Sequence, residues 1–488
     1  MGKQISEYTL YRLRYVIGYT LIAATIITMI IVAGLFIPGG LSRNEMSSVV
    51  TSDALSFSLS SFDPQTVINL PYHLLQRFSI DLFGVSTTSI KLPSLLLGLL
   101  SALGMLLLLR MWFSGNVAVL TTILVITTGQ FLFVAQSGTP SIVYIFWTIW
   151  LLVAALMVSR RARLSGVWKV VLFCLAALSL YTPLSPYILV ALASSALLHP
   201  HLRYIIRRLS KVKVGLAMLC ALILLVPLGY ALLLNPSIGL TLLGVPSSMP
   251  NLGDSILQLL RQYFSFASPS SGMLMTPIYG LGSSILIILG LFRLFTTKYT
   301  ARSYIIAAWI ILLTPVLIVN PSYISVTFVP VILLMAMGIT ILLARWYRLF
   351  PRNPYARFAG LVPLAVLIGG MVFSGVDRYM YGYMYDPQTA NNFSHDLQLA
   401  NKELKDTGRG NTAFVVGKDE ADFYSVVAHR GENVFVATEL SPQISRSSTL
   451  IISHEAMQGH KYPVPERIVT DETSHAADRF YIYKIGQK

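Results

Sequence analysis

Long apolar stretches recur through the first three-quarters of the sequence and constrain the fold more than any other feature. A helix that crosses a bilayer needs roughly 17–25 mostly apolar residues. Eleven stretches of about this length occur in the 488 residues, the fifth and sixth being short enough to form half-depth helices instead. We therefore predict an α-helical polytopic membrane protein. Its spans are predicted at Tyr15–Ile37, Ser89–Trp112, Asn116–Ala135, Ser141–Val158, Val167–Tyr181, Ser185–Leu198, Val212–Leu234, Pro277–Phe295, Ser303–Val319, Tyr323–Leu343 and Phe358–Val376.

Charged residues make up only 12% of the chain, and they are distributed unevenly. Soluble domains carry about 25% charged residues, so the composition excludes a soluble protein. Residues 1–376 contain 24 Lys and Arg but only 6 Asp and Glu, whereas residues 377–488 contain 12 and 15. This shift predicts a membrane domain over residues 1–376 and a soluble C-terminal domain, called the tail below, over residues 377–488.

The positive residues also predict the orientation in the membrane. With a cytoplasmic N-terminus, 20 Lys and Arg of the membrane domain lie on the cytoplasmic side and 4 on the opposite side. Cytoplasmic loops carry the excess of positive charge in membrane proteins. We therefore predict a multi-pass plasma-membrane protein whose tail, after an odd number of spans, is extracytoplasmic.

Two classes of function fit this charge pattern poorly. No Asp or Glu lies within a predicted span, and the ion relays of transporters usually need carboxylates there. No basic stripe with interleaved aromatic residues occurs, although nucleic-acid binding would require one. We therefore expect the bilayer, and no nucleic acid, among the partners.

Two long loops and the tail lie on the predicted outer side. The first outer loop, residues 38–88, contains an amphipathic helix over Gln65–Phe83, and the second, residues 235–276, contains another over Ile256–Phe264. Both either cover the outer end of the bundle or roof a cavity. Strand–helix alternation predicts a small α/β tail. Its strands are predicted at Ala413–Val416, Val434–Ala437, Leu450–Ser453 and Phe480–Lys484, and its helices at Asp396–Asp406 and Ala421–His429.

Short motifs in the first third of the chain follow one another in a recognisable order. After the first span come Arg43-Asn44-Glu45, Asn69-Leu70-Pro71-Tyr72-His73, Leu82-Phe83-Gly84 and Ile90-Lys91-Leu92-Pro93-Ser94. This order resembles the GT-C superfamily of integral-membrane glycosyltransferases, which contains protein mannosyltransferases and lipid A aminoarabinose transferases. That group carries an Asp-Glu pair where this chain has Asn44-Glu45. It commonly has an acidic residue and an Arg where this chain has Gln136–Thr139, and an Arg in place of Lys91.

The resemblance implies a fold, a reaction and a set of partners. The fold is a GT-C-like membrane domain of about eleven helices with a C-terminal extracytoplasmic α/β domain. The reaction is transfer of a sugar from a polyprenyl-phosphate-linked lipid to a hydroxyl of an unknown acceptor, which is a protein, a glycan or a lipid. No cofactor is required by the resemblance, a divalent cation is compatible with it, and no metal-ligand motif is recognisable in the sequence.

The same resemblance suggests the residues of the site. Glu45 is the candidate general base for the acceptor hydroxyl. Asp53 is the second catalytic candidate, with helix capping as its alternative role. The expected substrate-binding residues, whose cations would bind the lipid phosphate, are Arg43, Asn44, His73, Lys91 and Arg261. The alternatives are headgroup contacts for the cations and an interfacial aromatic role for His73.

Two other functions stay open on the sequence. A catalytically degenerate GT-C-fold protein would bind a polyprenyl lipid or a protein partner without chemistry, because Asn44 replaces an acid of the family's pair. A transporter or flippase would need a continuous polar path across the bilayer, and the acid-free spans argue against one.

Overall fold

The structure is a computed structural model, and it describes most of the chain. The described residues are 9–37, 39–56, 62–160, 165–246, 248–264, 278–297, 300–349, 354–385, 392–394, 396–406, 412–430, 434–439, 449–458, 462–470 and 478–484. They form a helical membrane domain and a tail that is built on a five-stranded sheet.

Helices account for nearly all of the described membrane domain, as the apolar stretches predict. They are α1 (Thr9–Phe36), α2 (Arg43–Asp53), α3 (Leu70–Phe83), α4 (Thr87–Trp112), α5 (Gly115–Ile126), α6 (Gly129–Gln136), α7 (Ser141–Ser159), α8 (Ser165–Ser179), α9 (Ser185–Leu198), α10 (Pro200–Arg207), α11 (Lys211–Leu234), α12 (Ser237–Leu242), α13 (Leu252–Phe264), α14 (Leu281–Thr296), α15 (Ala301–Val319), α16 (Phe328–Leu349) and α17 (Pro354–Tyr385).

The chain is a multi-pass membrane protein by the length and hydropathy of these helices. Among the described residues, 6 helices are long and apolar enough to cross a bilayer, or up to 8 if two bent pairs each count as one span. The pairs are α5 with α6, bent by 63°, and α9 with α10, bent by 94°. Three further apolar helices are shorter, within α1, α8 and α14. The total of about eleven therefore stays a prediction.

The first outer loop forms two helices that pack beside the start of α4. Helix α3 begins at Leu70 with Pro71 in its first turn, where proline is tolerated because the first amide groups need no partner within the helix. Its apolar residues Leu75 and Phe78 are exposed, whereas its polar residues His73 and Gln76 are buried. This reversed polarity suits a helix that turns its apolar side to lipid and its polar side to a protein interior.

The tail is an α/β unit, as predicted. Its elements are α18 (Asp396–Asp406), β1 (Thr412–Val415), α19 (Ala421–Arg430), β2 (Val434–Ala437), β3 (Thr449–Ser453), α20 (His454–Met457), β4 (Arg467–Thr470) and β5 (Asp478–Lys484). The sheet order is β2-β1-β3-β5-β4, with β1 parallel to both neighbours and β5 antiparallel to both of its own. The edge strand β4 was not predicted, because Arg467–Thr470 is mostly exposed and lacks an apolar run.

The tail packs directly on α2 and α3. Leu41 pairs with Ser394 in an isolated antiparallel bridge. One apolar cluster joins Met46 and Val49 of α2 to Phe423 of α19. The last apolar helix runs on to Tyr385, beyond the predicted domain boundary at residue 376. Glu45 and Met46 in the first turn of α2 are therefore buried where the membrane helices meet the tail, whereas Arg43 and Asn44 of the same turn are exposed.

Candidate functional site

Glu45 lies in the first turn of α2, and the local sequence fixes its position. Ser42 caps the helix, and its side chain accepts a hydrogen bond from the Glu45 amide. In return, Glu45 Oε2 accepts from the Ser42 amide at 2.6 Å and from the Ser42 hydroxyl at 3.1 Å. This reciprocal arrangement is a capping box, in which two otherwise unpaired amide groups of the first turn are satisfied.

The other carboxylate oxygen of Glu45 contacts the membrane helices. Glu45 Oε1 accepts from the Gly138 amide at 2.6 Å and lies 3.8 Å from Lys91 Nζ of α4. The ammonium group of Lys91 also donates to Gln136 Oε1 at 3.0 Å. Glu45 and Lys91 are both fully buried. A buried charge is tolerated only when it is paired and hydrogen-bonded, and this pair satisfies both conditions.

A glycine at position 138 is required by the closeness of these contacts. A Cβ atom there would lie 2.8 Å from Ile90 Cγ2 and 3.3 Å from Glu45 Oε1. The first distance is well inside van der Waals contact, so a larger residue would push the peptide away from Glu45. Gly138 thus lets a backbone amide approach the carboxylate.

A second set of buried polar groups supports this arrangement from α3. Gln76 donates to the carbonyl oxygens of Gly138 at 2.9 Å and Ile90 at 3.2 Å. Its own Oε1 accepts from the hydroxyls of Ser48 and Ser52 at 2.8 and 2.7 Å. Gln76 therefore connects α2, α3, α4 and the segment after α6, and it holds the Gly138 peptide that contacts Glu45.

His73 belongs to the same buried network. Its Nδ1 atom lies 2.8 Å from the Ser52 hydroxyl. Burial lowers the pKa of His73 to about 4, since a low-dielectric surrounding disfavours the charged imidazolium. A neutral, buried imidazole can accept or donate a hydrogen bond, but it cannot attract a lipid phosphate by charge.

The remaining predicted residues are placed differently. Asp53 is the last residue of α2, so the capping alternative is wrong; its Oδ1 accepts from Arg430 of the tail at 2.6 Å. Arg43 and Asn44 are exposed at the start of α2, beside Glu45. Arg261 is exposed near the end of α13, and no contact joins it to Glu45 or Lys91 in the described residues.

Sequence reasoning missed four residues of the Glu45 surroundings. The role of Ser42 could have been predicted, because Ser-x-x-Glu at the start of a helix, here Ser42 to Glu45, is the capping-box pattern. Gln136 and Gly138 were noted only as a departure from the family's usual residues. Gln76 carried no signal at all, since an amide in an amphipathic helix predicts an exposed position. Its burial depends on which face of α3 meets the protein.

The described residues contain no group of three or more His, Cys, Asp or Glu side chains placed to hold a metal ion. What the site offers instead is a fixed carboxylate with a buried cation and two backbone amide donors. Such an arrangement can orient a hydroxyl or accept its proton after one of the hydrogen bonds of Glu45 is exchanged.

Comparison with known proteins agrees with this architecture. Residues 70–230 match the sequence family of dolichyl-phosphate-mannose-protein mannosyltransferases. The structure of ArnT from Cupriavidus metallidurans, bound to undecaprenyl phosphate, is similar with a TM-score of 0.53 at 13% identity, over 96% of this chain and 98% of that one. The fold is that of the GT-C membrane glycosyltransferases. A search of curated protein sequences gives no match.

A second structure extends the similarity within the GT-C group. It is the archaeal oligosaccharyltransferase AglB from Archaeoglobus fulgidus, in complex with an inhibitory peptide and a dolichol-phosphate. The TM-score is 0.50 at 12% identity, over 89% of this chain and 69% of AglB. The GT-C fold predicted from the order of short motifs is therefore confirmed, including a C-terminal sheet outside the helical part.

Proposed function

We propose that the protein is a membrane glycosyltransferase that moves a sugar from a polyprenyl-phosphate-linked donor to a hydroxyl of an extracytoplasmic acceptor. One observation carries the proposal: in a chain with the GT-C fold, a buried carboxylate–ammonium pair lies at the start of the first helix after α1. The motif resemblance predicts its acid at this position. Protease added to wall-stripped cells would reach the tail if this orientation is correct.

In such a transfer, the protein mainly has to position the substrates and stabilise charge. A lipid phosphate is already a good leaving group, so the site must align the donor with the acceptor and stabilise developing charge. Glu45 would take the proton of the acceptor hydroxyl, and the exposed Asn44 beside it would orient that hydroxyl. Arg43, exposed at the same helix start, is our candidate for the donor phosphate.

Lys91 has a different role in this proposal from the one its sequence position suggested. Because the Lys91 side chain is fully buried and its ammonium group contacts Glu45 and Gln136, it is enclosed away from a lipid headgroup. We propose that it balances the charge of the Glu45 carboxylate and keeps that side chain in place. Our proposal gives no part in the step to Arg261, which has no contact with Glu45 among the described residues, or to Asp53, which pairs with Arg430.

A second function is favoured by one specific observation. Both oxygens of Glu45 accept hydrogen bonds, and the side chain is fully enclosed. A protein that keeps the fold to bind a polyprenyl lipid without chemistry would need no more than this. If the wild type is inert, Asn44→Asp, which restores the family's acidic pair, tests this alternative. Transfer gained by that variant would identify a degenerate enzyme.

The proposed function is tested by comparing Glu45→Gln with the wild type in a transfer assay that uses a polyprenyl-phosphate sugar. Loss of the general base should lower turnover about 10²–10⁴-fold while donor binding, measured separately, stays near the wild-type value. Glu466→Gln is the matched control, because Glu466 is an exposed acid paired with Lys484 at the far edge of the sheet. Glu45→Gln should lower the melting temperature, because it leaves the buried Lys91 without its counter-charge, so turnover is compared at a temperature at which all three proteins are folded.

Two results would count against this assignment. Equal turnover in Glu45→Gln and Glu466→Gln would remove Glu45 from the mechanism. No transfer by the wild type from any donor, in spite of measurable lipid binding, would leave the degenerate function as the better account.

A further inference from the structure

The carboxyl ends of β1 and β3 in the tail sheet form an edge that the proposed chemistry of Glu45 does not involve. Strands β1, β2 and β3 are parallel, with β1 between the other two. The chain passes from β1 through α19 to β2, while β3 pairs with the other side of β1. The carboxyl ends of β1 and β3 therefore flank a point where the strand order reverses. Open α/β sheets bind their ligands in the crevice at such a point.

Acidic side chains gather at this edge and share one arginine. Asp419 follows β1, and Glu455 follows β3, and each lies near the guanidinium group of Arg43, at 3.5 and 4.0 Å. The Glu455 side chain crosses the backbone of Gly417, since a Cβ there would lie 2.6 Å from Glu455 Cγ. The edge of the sheet is thus joined, through Arg43, to the first turn of α2.

A buried hydroxyl beside these acids lacks a hydrogen-bond partner. Tyr424 lies one helical turn after Glu420 and is only 3% exposed. No hydrogen-bond partner for its hydroxyl, or for Glu420 Oε2, is found among the described residues. Residues four apart lie on the same side of a helix, so Tyr424 and Glu420 share one side at the start of α19. Burial is the main cause that raises the pKa of Tyr424, with contributions from Asp396 and Glu420 and an opposing effect of Arg479. An unpaired buried hydroxyl is unfavourable, and a bound hydrogen-bond donor or acceptor would remove this cost.

The acids at this edge outnumber the cations that face them. Burial, then Glu455, then Asp396 raise the pKa of Glu420 to about 7, against smaller opposing effects of Ser453 and Arg43. Among the described residues, Arg479 lies 3.5 Å from Asp396, and Arg43 lies near Asp419 and Glu455. With Glu420, these four acids have two arginines beside them, so their negative charge is only partly balanced.

We propose that the carboxyl edge of β1 and β3 binds a ligand that carries a primary ammonium group. An ammonium group has three donors and one positive charge, which matches the carboxylates and the unpaired Tyr424 hydroxyl. The described acids do not converge as metal ligands would. Because Arg43 joins this edge to Asn44 and Glu45, the ligand would be the acceptor of the transferase; that last assignment alone rests on the proposed function.

Binding is tested by calorimetry on the full chain in lipid nanodiscs, with Nα-acetyl-lysinamide as the ammonium probe and Nα-acetyl-norleucinamide as its neutral counterpart. The ammonium probe should bind and the neutral one should not. Glu420→Gln and Glu455→Gln should each weaken binding about 10- to 100-fold, the range for a hydrogen bond to a charged group. The control Glu466→Gln should bind like the wild type.

The pH dependence separates this proposal from a structural role of the acids. Lowering the pH from 8 to 6 protonates a group with a pKa of about 7, so wild-type binding should weaken about tenfold, whereas Glu420→Gln should show no such change. The groups that face Glu420 are Arg43 of α2, Asp396 of α18, Glu455 of α20, Tyr424 of α19 and Arg479 of β5.

The proposal is overturned if both probes bind equally, if neither binds at millimolar concentration, or if the Glu420 and Glu455 variants behave like the control. Its failure is distinguishable from failure of the proposed function. Ammonium binding without any transfer by the wild type would keep this site and reject the transferase. Transfer that depends on Glu45, without ammonium binding, would do the reverse.

Discussion

Glu45 in the membrane domain and Glu420 in the tail both lie near the first turn of α2, yet their surroundings are opposite. Glu45 is enclosed by donors: two backbone amides, a hydroxyl and the Lys91 ammonium group. Glu420 is half-buried beside two further acids, and one of its oxygens has no described partner. The same type of side chain is thus held by hydrogen-bond donors in one region and lies beside other acids in the other.

The largest expected effect comes from removing the ammonium group of Lys91 beside Glu45. Lys91→Met would leave the Glu45 carboxylate buried without its counter-charge, and breaking a buried pair in this way costs about 3–5 kcal/mol. Unfolding in detergent should show this loss. The double variant with Glu45→Gln should recover most of it, because no uncompensated charge remains.

The control for this prediction is Lys484→Met, which removes the cation of an exposed pair with Glu466. Exposed pairs contribute about 0–1 kcal/mol, so this variant should unfold close to the wild type. If Lys91→Met were as mild as the control, the Glu45 region would not be the tightly enclosed charge pair described above.

A backbone change should have the next largest effect. Gly138→Ala would place a Cβ 2.8 Å from Ile90 Cγ2, and such overpacking costs about 1–3 kcal/mol. Gly229→Ala in α11 is the matched control, because nothing lies within 4 Å of its added Cβ. Alanine in an open helix interior should stabilise by about 0.5–1 kcal/mol. Opposite signs in the two unfolding free energies are expected, and a neutral Gly138→Ala would contradict the close approach.

Glu420 should make the free energy of unfolding depend on pH, and we expect this effect to be smaller than those of Lys91→Met and Gly138→Ala. The pKa of Glu420 is raised to about 7 from a model-compound value of 4.5, so between these values the folded state binds more protons than the unfolded state. The free energy of unfolding should therefore fall as the pH rises through this range. Glu420→Gln should remove that fall and be more stable than the wild type at pH 8, whereas an unchanged pH profile would show that Glu420 is solvated.

Much of the fold follows from the sequence because it depends on composition along the chain. The apolar stretches predict the membrane helices. The four predicted tail strands and both of the longer tail helices lie within a residue or two of their predicted bounds. The sequence did not predict features that depend on neighbouring elements. The edge strand β4 has no apolar run of its own, so its pairing with β5 left no pattern in the sequence. The length of an apolar stretch also does not show whether a short helix crosses the bilayer.

In the candidate site, too, local motifs were predictable from the sequence and contacts between distant segments were not. Glu45 was predicted as a site residue because it follows the first span within a recognisable motif. Its contacts with Gly138 and Lys91 involve segments up to 93 residues away. Asp53 was predicted to be catalytic or a helix cap, yet it pairs with Arg430, 377 positions further along the chain. No local pattern states which distant cation an acid will meet, so these contacts required the structure.

The central claim is that the start of α2 is where a lipid-linked donor meets Glu45, and a structure of the full chain with undecaprenyl phosphate tests it most directly. The account predicts the phosphate beside Arg43 and Asn44, with Glu45 released from at least one of its contacts to Ser42 or Gly138. A phosphate bound on another face of the membrane domain, with Glu45 still holding all of these contacts, would contradict it.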